Sequence, residues 1–150
     1  MKKPDFIWNN DMLKDFLLQR VSHRWFVPII QGYVNNEQGL MYLQKHLNLV
    51  LISRRSTGRV GTRFHSRGID EQGNVSNFVE TEMIVFFNHG SCTFSHMQVR
   101  GSIPLFWSQK AKKATKVTIK STSQNKRAFG RHVDDLLRRY NRVLILNLLS

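Results

Sequence analysis

Apolar and polar residues recur along the chain in spacings that predict both helices and strands. One helical spacing begins at Asn10 or Asp11, either of which can cap a helix, and continues to about Arg20. The predicted buried stripe of this helix contains Met12, Phe16, Leu13 and Leu17. A second helical spacing covers residues 129–140, and the side expected to be buried contains Val133, Leu136, Leu137 and Tyr140.

Runs of β-branched and aromatic residues predict several strands between these helices. Residues 25–34 and 47–53 form the first two, and the polar segment 35–39 is the turn expected to join them. Residues 60–69 and 75–87 flank a segment whose residue types, Asp, Glu, Gln, Gly and Asn, tolerate tight turns. The pattern therefore predicts a hairpin that turns at residues 70–74.

The last part of the chain combines two more strands with a basic segment. Residues 93–100 predict a strand, and residues 103–107 predict another that Pro104 limits to an edge or a bend. Residues 109–127 contain seven basic residues and no acid, which indicates a solvated loop. The apolar run 143–149 predicts a buried strand, which normally lies inside a sheet. We therefore expect an incomplete α/β (α+β) domain, with a mixed sheet and flanking helices.

Charge adds a class of partner to this fold. The 150 residues carry 23 Lys and Arg against 10 Asp and Glu, a formal net charge of +13. An anionic partner is implied, which can be nucleic acid, anionic lipid or a phosphorylated small molecule. The single cysteine excludes an intramolecular disulfide and suits a reducing compartment. No apolar run reaches the roughly 18 to 20 residues that span a bilayer, so any membrane contact is expected to be peripheral.

Arginines are concentrated in one segment. Five fall within fourteen residues, namely Arg54, Arg55, Arg59, Arg63 and Arg67. If residues 60–69 form a strand, alternation places Arg63, His65 and Arg67 on one face. Guanidinium groups suit phosphate because their planar fork donates two hydrogen bonds at once. The alternative is a solvated face that pairs with acids elsewhere.

Glu80 and Glu82 share a face if their strand is regular. Paired carboxylates can act as general acid and base, but salt bridges to neighbouring arginines are the simpler interpretation. His89, Cys92 and His96 have part of the spacing of a zinc site, although no fourth ligand is near, and we predict no metal. Cys92 is not followed by the arginine of a C-x5-R phosphatase loop, because Gln98 occupies that position.

Four segments, in order, resemble the Sac domain of phosphoinositide phosphatases, the group that includes the synaptojanin Sac module. They are FIWNNDML with the WFVPIIQGYV that follows, LISRRSTGRVGTRFHSRGIDEQGNVSNFVETE, VRGSIPLFWSQ and VLILNLLS. The second and third are long and unusual in composition. Departures are modest: Val60 replaces the alanine of the familiar R-A-G-T-R, and Ser76 and Met83 stand at the ends of the usual A-N-F-V-E-T-E-Q.

The resemblance implies hydrolysis of a phosphate monoester on the inositol ring of a membrane phosphoinositide. The reaction would pass through a cysteinyl-phosphate, without a metal or other cofactor. It needs the family's R-x-N-C-x-D-C-L-D-R-T-N type loop, which these residues lack. Two readings follow: a phosphatase whose loop lies in the missing remainder of the Sac domain, or an inactive fragment that binds phosphoinositide or anionic membrane. A nucleic-acid-binding protein rests only on charge and interleaved aromatics, so no nucleic acid is expected.

The resemblance also implies roles for particular residues. Those expected to face phosphate are Arg63, Arg67 and Arg100, and those expected to support the pocket are Glu80, Glu82 and Trp107. The basic segment 109–127 either attracts the protein to an anionic leaflet, at about 1 kcal/mol per basic residue, or is simply solvated. We expect a cytoplasmic protein, peripheral on endomembranes.

Overall fold

The chain folds into two compact units. The computed structural model describes residues 5–62, 66–87, 90–109, 117–119 and 122–146. The first unit comprises Met1–Gly58 and Asn77–Arg100, and the second comprises Arg59–Ser76 and Gly101–Ser150. Helices and antiparallel strands occur in separate stretches of sequence, so the α+β class is confirmed.

A four-stranded antiparallel sheet forms the body of the first unit. Its strands lie side by side in sequence order: β1 (Gly32–Tyr42), β2 (Lys45–Arg55), β3 (Val79–Phe87) and β4 (Cys92–Arg100). Branched and aromatic residues are frequent in β2 and β3, as expected for strands in the middle of a sheet. Helix α1 (Asn10–Leu18) and a short 3-10 turn precede the sheet.

The register of the sheet decides which side chains share a face. Arg54 of β2 lies directly opposite Glu80 of β3, and both project to one side. Val79 lies opposite Arg55 on one flank and opposite Arg100 on the other, and these three project to the other side. Two groups of charged side chains are thereby separated by the thickness of the sheet.

The first turn of the sheet is displaced from its predicted position. Residues 35–39 lie within β1, where the register shifts between Glu37 and Leu40 to form a bulge. The chain reverses instead at Leu43 and Gln44, whose φ angles of 47° and 61° lie in the left-handed region. Such angles suit a two-residue hairpin turn. The sequence prediction was wrong because leucine and glutamine are not residues that usually mark such turns.

The predicted hairpin around residues 70–74 is only a short turn. Ile69 and Val75 form a single antiparallel bridge, and the Asp70 side chain accepts a hydrogen bond of 2.8 Å from the Asn74 backbone N–H. Residues 60–62 and 66–68 are not strands, so the predicted strand 60–69 is wrong where it is described. Residues 63–65 lie outside the described residues. The neighbours of β3 are β2 and β4.

The second unit contains a small sheet and a long helix. Strands β5 (Trp107–Gln109) and β6 (Val117–Ile119) pair antiparallel, and α2 spans Thr122–Tyr140. The predicted loop 109–127 is therefore not continuous, because it contains β6 and the start of α2. The predicted strand 103–107 is also wrong, since residues 103–106 are not a strand and only Trp107 enters β5.

The described core of the second unit forms where the turn, the segment before β5 and α2 meet. The buried residues there include Ile69, Val75, Ser76, Ala128 and Leu136. Backbone hydrogen bonds join Ile69 to Leu105 and Ser76 to Gly68. The buried Asn125 of α2 accepts a hydrogen bond of 2.6 Å from the Phe106 N–H, which satisfies a polar group inside the unit.

Several predicted buried positions are exposed. In α1, Leu13 is buried, whereas Met12 is 77% exposed, and Phe16 and Leu17 are exposed as well. In α2, Leu137 is exposed, whereas Asn125, Ala128 and Leu136 are buried, so the buried side of the helix includes Leu136 and leaves out its neighbour. Residues 143–146 form no strand and Leu144 is 83% exposed, so the buried strand 143–149 is wrong in this part; residues 147–150 lie outside the described residues.

The described helices lack the combination of length and apolar character needed to cross a bilayer. The longest of them, α2, has 19 residues, and seven of these are Lys, Arg or Asp. Its exposed surface is therefore strongly polar.

Candidate functional site

A compact ion-pair cluster lies on one face of the sheet in the first unit. One terminal nitrogen of Arg54 lies 3.0 Å from Glu80 Oε1 and 2.8 Å from Glu82 Oε2. The two carboxylates are neighbours because they stand two residues apart on β3. The Ser95 hydroxyl of β4 donates to Glu82 Oε1 at 2.9 Å. A single guanidinium thus bridges two carboxylates that the sheet would otherwise leave side by side.

The ion pairs with Arg54 indicate a structural role for the two glutamates. Arginines were expected to pair with them, but from a strand at 60–69, whereas the partner is Arg54 of β2. Glu80 is buried, and all three side chains are less than a third exposed. The shared guanidinium favours the salt-bridge interpretation of these two carboxylates. A role for Glu80 and Glu82 in supporting a pocket stays a prediction.

A second cluster, here called the Arg–Trp cluster, lies in the second unit and consists of Arg59, Arg67 and Trp107. The guanidinium carbon of Arg67 lies 5.3 Å from the centre of the Trp107 ring, within the range of a cation–π contact. A terminal nitrogen of Arg59 donates to the backbone carbonyl of Arg67 at 2.7 Å. The Arg59 side chain therefore reaches the backbone that carries Arg67.

The backbone around the Arg–Trp cluster is tight. Gly68 has a φ of 68°, and a Cβ there would lie 2.2 Å from the Leu105 carbonyl oxygen and 2.9 Å from Trp107 Cδ1. Its N–H donates to the Ser102 hydroxyl at 2.8 Å. Glycine at this position allows the chain after Arg67 to pass directly beside Trp107. The contact between Arg67 and Trp107 thus depends on the absence of a side chain at position 68.

Two donors in the Arg–Trp cluster are buried without an acceptor. Arg59 Nε and Trp107 Nε1 are both shielded from solvent and donate no hydrogen bond within the part of the chain that the structure describes. Over the same described ranges, no carboxylate lies within ion-pair distance of Arg59. Buried donors normally have a partner, so this cluster has the capacity to donate to an anion.

The structure brings together only some of the residues expected to face phosphate. Arg67 and Trp107 are in contact in the second unit, whereas Arg100 is exposed at the end of β4 in the first unit. Arg63 lies outside the described residues. Arg59 was not singled out from the sequence, where its one signal was membership of the arginine series.

Cys92 occupies an ordinary strand position. It is exposed at the first residue of β4, directly opposite Phe87, and it shares a face with His96 as alternation predicts. His89 lies outside the described residues. Over the described residues, no group of three or more potential metal ligands occurs.

The third feature is a pair of hydrogen bonds that join α2 to the turn at residues 70–74. His132 Nδ1 lies 3.0 Å from the Gly73 carbonyl oxygen, and Arg131 donates to the Glu71 carbonyl oxygen. Burial lowers the pKa of His132 below its ordinary value of 6.5, and Arg139 acts in the same direction, while the Gly73 carbonyl and Asp135 oppose the shift. The lowered pKa favours the neutral form of this imidazole.

Comparison with known proteins gives these clusters a family context. The model of the SacI homology domain matches residues 1–150. The chain belongs to the SacI homology domain family. The resemblance to Sac-type phosphatases seen in the sequence is thereby confirmed.

Individual relatives of this SacI homology domain are similar over nearly its whole length. Phosphatidylinositol-3-phosphatase SAC1-B of Danio rerio is 38% identical over 147 residues, which cover 97% of this chain and 25% of the relative. Inositol-1,4,5-trisphosphate 5-phosphatase 1 of Schizosaccharomyces pombe is 40% identical over 160 residues, 97% of this chain and 14% of the relative. Synaptojanin-2 of Homo sapiens is 36% identical over 149 residues, which cover 97% of this chain and 10% of the relative. The chain thus spans a quarter or less of these relatives.

Proposed function

We propose that the protein acts in phosphoinositide hydrolysis, by removal of a phosphate monoester from the inositol ring of a membrane lipid. Family membership supports this reaction class, because two relatives are named as phosphatases of a phosphatidylinositol phosphate and an inositol trisphosphate. Since the 150 residues correspond to a quarter or less of each relative, we assign them substrate and membrane binding. The site of action is the surface of an anionic membrane, with the protein bound peripherally.

The nucleophile of this reaction is proposed to lie outside these residues. A cysteine phosphatase needs a loop whose backbone N–H groups surround the phosphate and whose arginine follows the cysteine by six positions. Cys92 is instead in an extended strand paired with β3, and Gln98 occupies the arginine position. The isolated chain is therefore expected to bind phosphoinositide without turnover.

The observation that carries the proposal is the Arg–Trp cluster. The Arg67 guanidinium lies beside an indole, and Arg59 donates to the backbone of Arg67, in the unit that contains 14 of the 23 basic residues and 4 of the 10 acidic ones. Guanidinium is the side chain best suited to phosphate oxygens, and the unused N–H groups of Arg59 and Trp107 add further donors. We propose that Arg67, with Arg59 beside it, contacts a phosphate of the inositol ring, and that Arg63 and Arg100 are further phosphate contacts.

Vesicle binding of the 150-residue chain tests this assignment. Vesicles that contain a phosphatidylinositol monophosphate are compared with phosphatidylserine vesicles of matched surface charge. We expect preferential binding to the first, and a loss of about tenfold for Arg67→Gln, because a hydrogen bond to a charged group contributes about 1.5 to 3 kcal/mol. Arg67→Lys is expected to lose less, because it keeps the charge but not the planar fork.

A matched control is Arg24→Gln, which removes one exposed arginine from the first unit. It is expected to weaken binding by less than about twofold, in line with a general charge effect. Equal losses for Arg67→Gln and Arg24→Gln would contradict a specific phosphate contact. Displacement of the vesicles by an oligonucleotide at equal charge would favour nucleic-acid binding, and phosphate release that Cys92→Ser abolishes would overturn the assignment of the nucleophile.

A further inference from the structure

One edge of the sheet in the first unit has an open side. The strand order places β1 and β4 at the two margins. All nine residues of β4 pair with β3 without a shift in register, and seven of the nine are exposed. Within the described ranges, no other strand pairs with the outer side of β4. Its outward N–H and C=O groups therefore have the geometry to receive another strand.

The opposite edge is protected in a way that β4 is not. Strand β1 contains a bulge between Glu37 and Leu40, and Gly39 within it has a φ of 68°. Bulges, prolines, lysines and inward-pointing charges are the usual devices that prevent edge strands from pairing. The β4 sequence CTFSHMQVR contains no proline, lysine or acidic residue, and its one formal charge is at the end, on Arg100. An added strand is thus disfavoured at β1 and permitted at β4.

The charge pattern of β4 fits a second copy of itself. A two-fold axis makes two edge strands antiparallel, and only one such register pairs all nine residues, with His96 opposite His96 of the other copy. In that register Arg100 lies opposite Cys92, at the far end of the partner strand. No formally charged residues of like sign lie opposite one another, which is the arrangement that cross-strand pairing requires.

Net charge also favours the first unit over the second as the part of the chain through which two copies meet. The first unit contains the remaining 9 basic and 6 acidic residues, against 14 and 4 in the second. Two copies that meet through the first unit therefore experience much less repulsion than two copies that meet through the second. We propose that β4 pairs antiparallel with β4 of a second copy, which gives a two-fold symmetric dimer with a continuous eight-stranded sheet.

Site-directed cross-linking of the 150-residue chain tests the contact and its register. In a Cys92→Ser background, His96→Cys places two cysteines directly opposite each other, with Cβ atoms about 4.5 to 5.5 Å apart, close to disulfide range. Mild oxidation is expected to convert most of this variant into a covalent dimer. Gln98→Cys in the same background lies opposite Phe94 and is expected to cross-link at least about fivefold more slowly. Asn36→Cys on β1 is the matched control for random collision.

Sedimentation of the unmodified chain at physiological ionic strength gives an independent measurement. We expect a concentration-dependent dimer, and for His96→Lys a dissociation constant raised by about fivefold or more, because two ammonium groups then face each other. Asn36→Lys adds the same charge to β1 and is expected to leave the dimer unchanged, and circular dichroism checks that both variants fold. A chain that stays monomeric, or equal cross-linking at positions 36 and 96, overturns the proposal; a monomer that instead captures an unrelated β-strand peptide at this edge overturns it as well.

Discussion

At the scale of single residues, Arg54 has the most demanding position in the first unit. It contacts two carboxylates, of which Glu80 is only 8% exposed. Charges removed from water are tolerated when they are paired, and the loss of one partner leaves the others uncompensated. Glu80 and Glu82 would then repel each other on adjacent positions of one face of β3.

Replacement of Arg54 by alanine is therefore expected to destabilise the chain strongly. We expect the free energy of unfolding, measured by urea titration, to fall by about 3 kcal/mol. Arg54→Lys keeps the charge but cannot reach both carboxylates with one planar group, so it is expected to lose less. Lys45→Ala, at the exposed start of the same strand, is the control and is expected to change stability by less than about 0.5 kcal/mol. Similar losses for Arg54→Ala and Lys45→Ala would show that the ion-pair cluster does not stabilise the sheet.

The sequence predicted the types of contact at these sites better than the partners. Alternation was enough to place Glu80 and Glu82 on one face, because they lie in a regular strand. Their partner was misassigned because the register between β2 and β3, which sets Arg54 opposite Glu80, joins residues that are distant in sequence and has no local signal. The contact of Arg67 with Trp107 joins residues forty positions apart and has no local signal.

At the scale of elements, strands were predictable where pattern alone defines them. The strand predicted at 93–100 is β4, within one residue of its start, and the predicted helices at both ends of the chain are present. Errors arose where tertiary contacts override local preference. Leu43 and Gln44 adopt left-handed angles that only the pairing of β1 with β2 imposes, and residues 60–62 and 66–68 form no strand although one was predicted there.

The attachment of α2 to the turn at residues 70–74 depends on Gly73. Its φ is 93°, and a Cβ there would lie 3.0 Å from Arg131 Cβ and 3.0 Å from the backbone nitrogen of His132. Gly73→Ala is thus expected to lower the free energy of unfolding by about 2 kcal/mol, through left-handed strain and through contact with the helix. Thermal or urea unfolding followed by helical circular dichroism measures the change.

The matched control lies on the helix itself. Gly130 of α2 has no atom within 4 Å of an added Cβ, so Gly130→Ala is expected to stabilise the chain by about 0.5 to 1 kcal/mol. The two substitutions add the same methyl group, and their effects should therefore have opposite signs. If both stabilise the chain, the turn at residues 70–74 is not packed against α2 as described.

At the scale of the whole molecule, positive charge is unevenly divided between the two units. The second unit has a formal excess of ten positive charges, from 14 basic and 4 acidic residues, and the first has an excess of three, from 9 and 6. On the exposed surface of α2, Lys126 and Arg127 form no ion pair with a carboxylate of the described residues, whereas Arg139 is paired with Asp135 at 2.5 Å. Attraction to an anionic surface is therefore expected to act mainly through the second unit.

Charge reversal separates this expectation from a general effect of net charge. Lys126→Glu with Arg127→Glu is expected to weaken binding to phosphatidylserine vesicles by at least about 30-fold, because each basic residue near such a surface contributes about 1 kcal/mol. The same reversal in the first unit, Arg24→Glu with Lys45→Glu, changes the net charge equally and is expected to weaken binding several times less. The difference should shrink as salt screens exposed charges. If the two double variants lose the same affinity at low salt, the attraction depends on the total charge of the chain, and α2 is not the part that contacts the membrane.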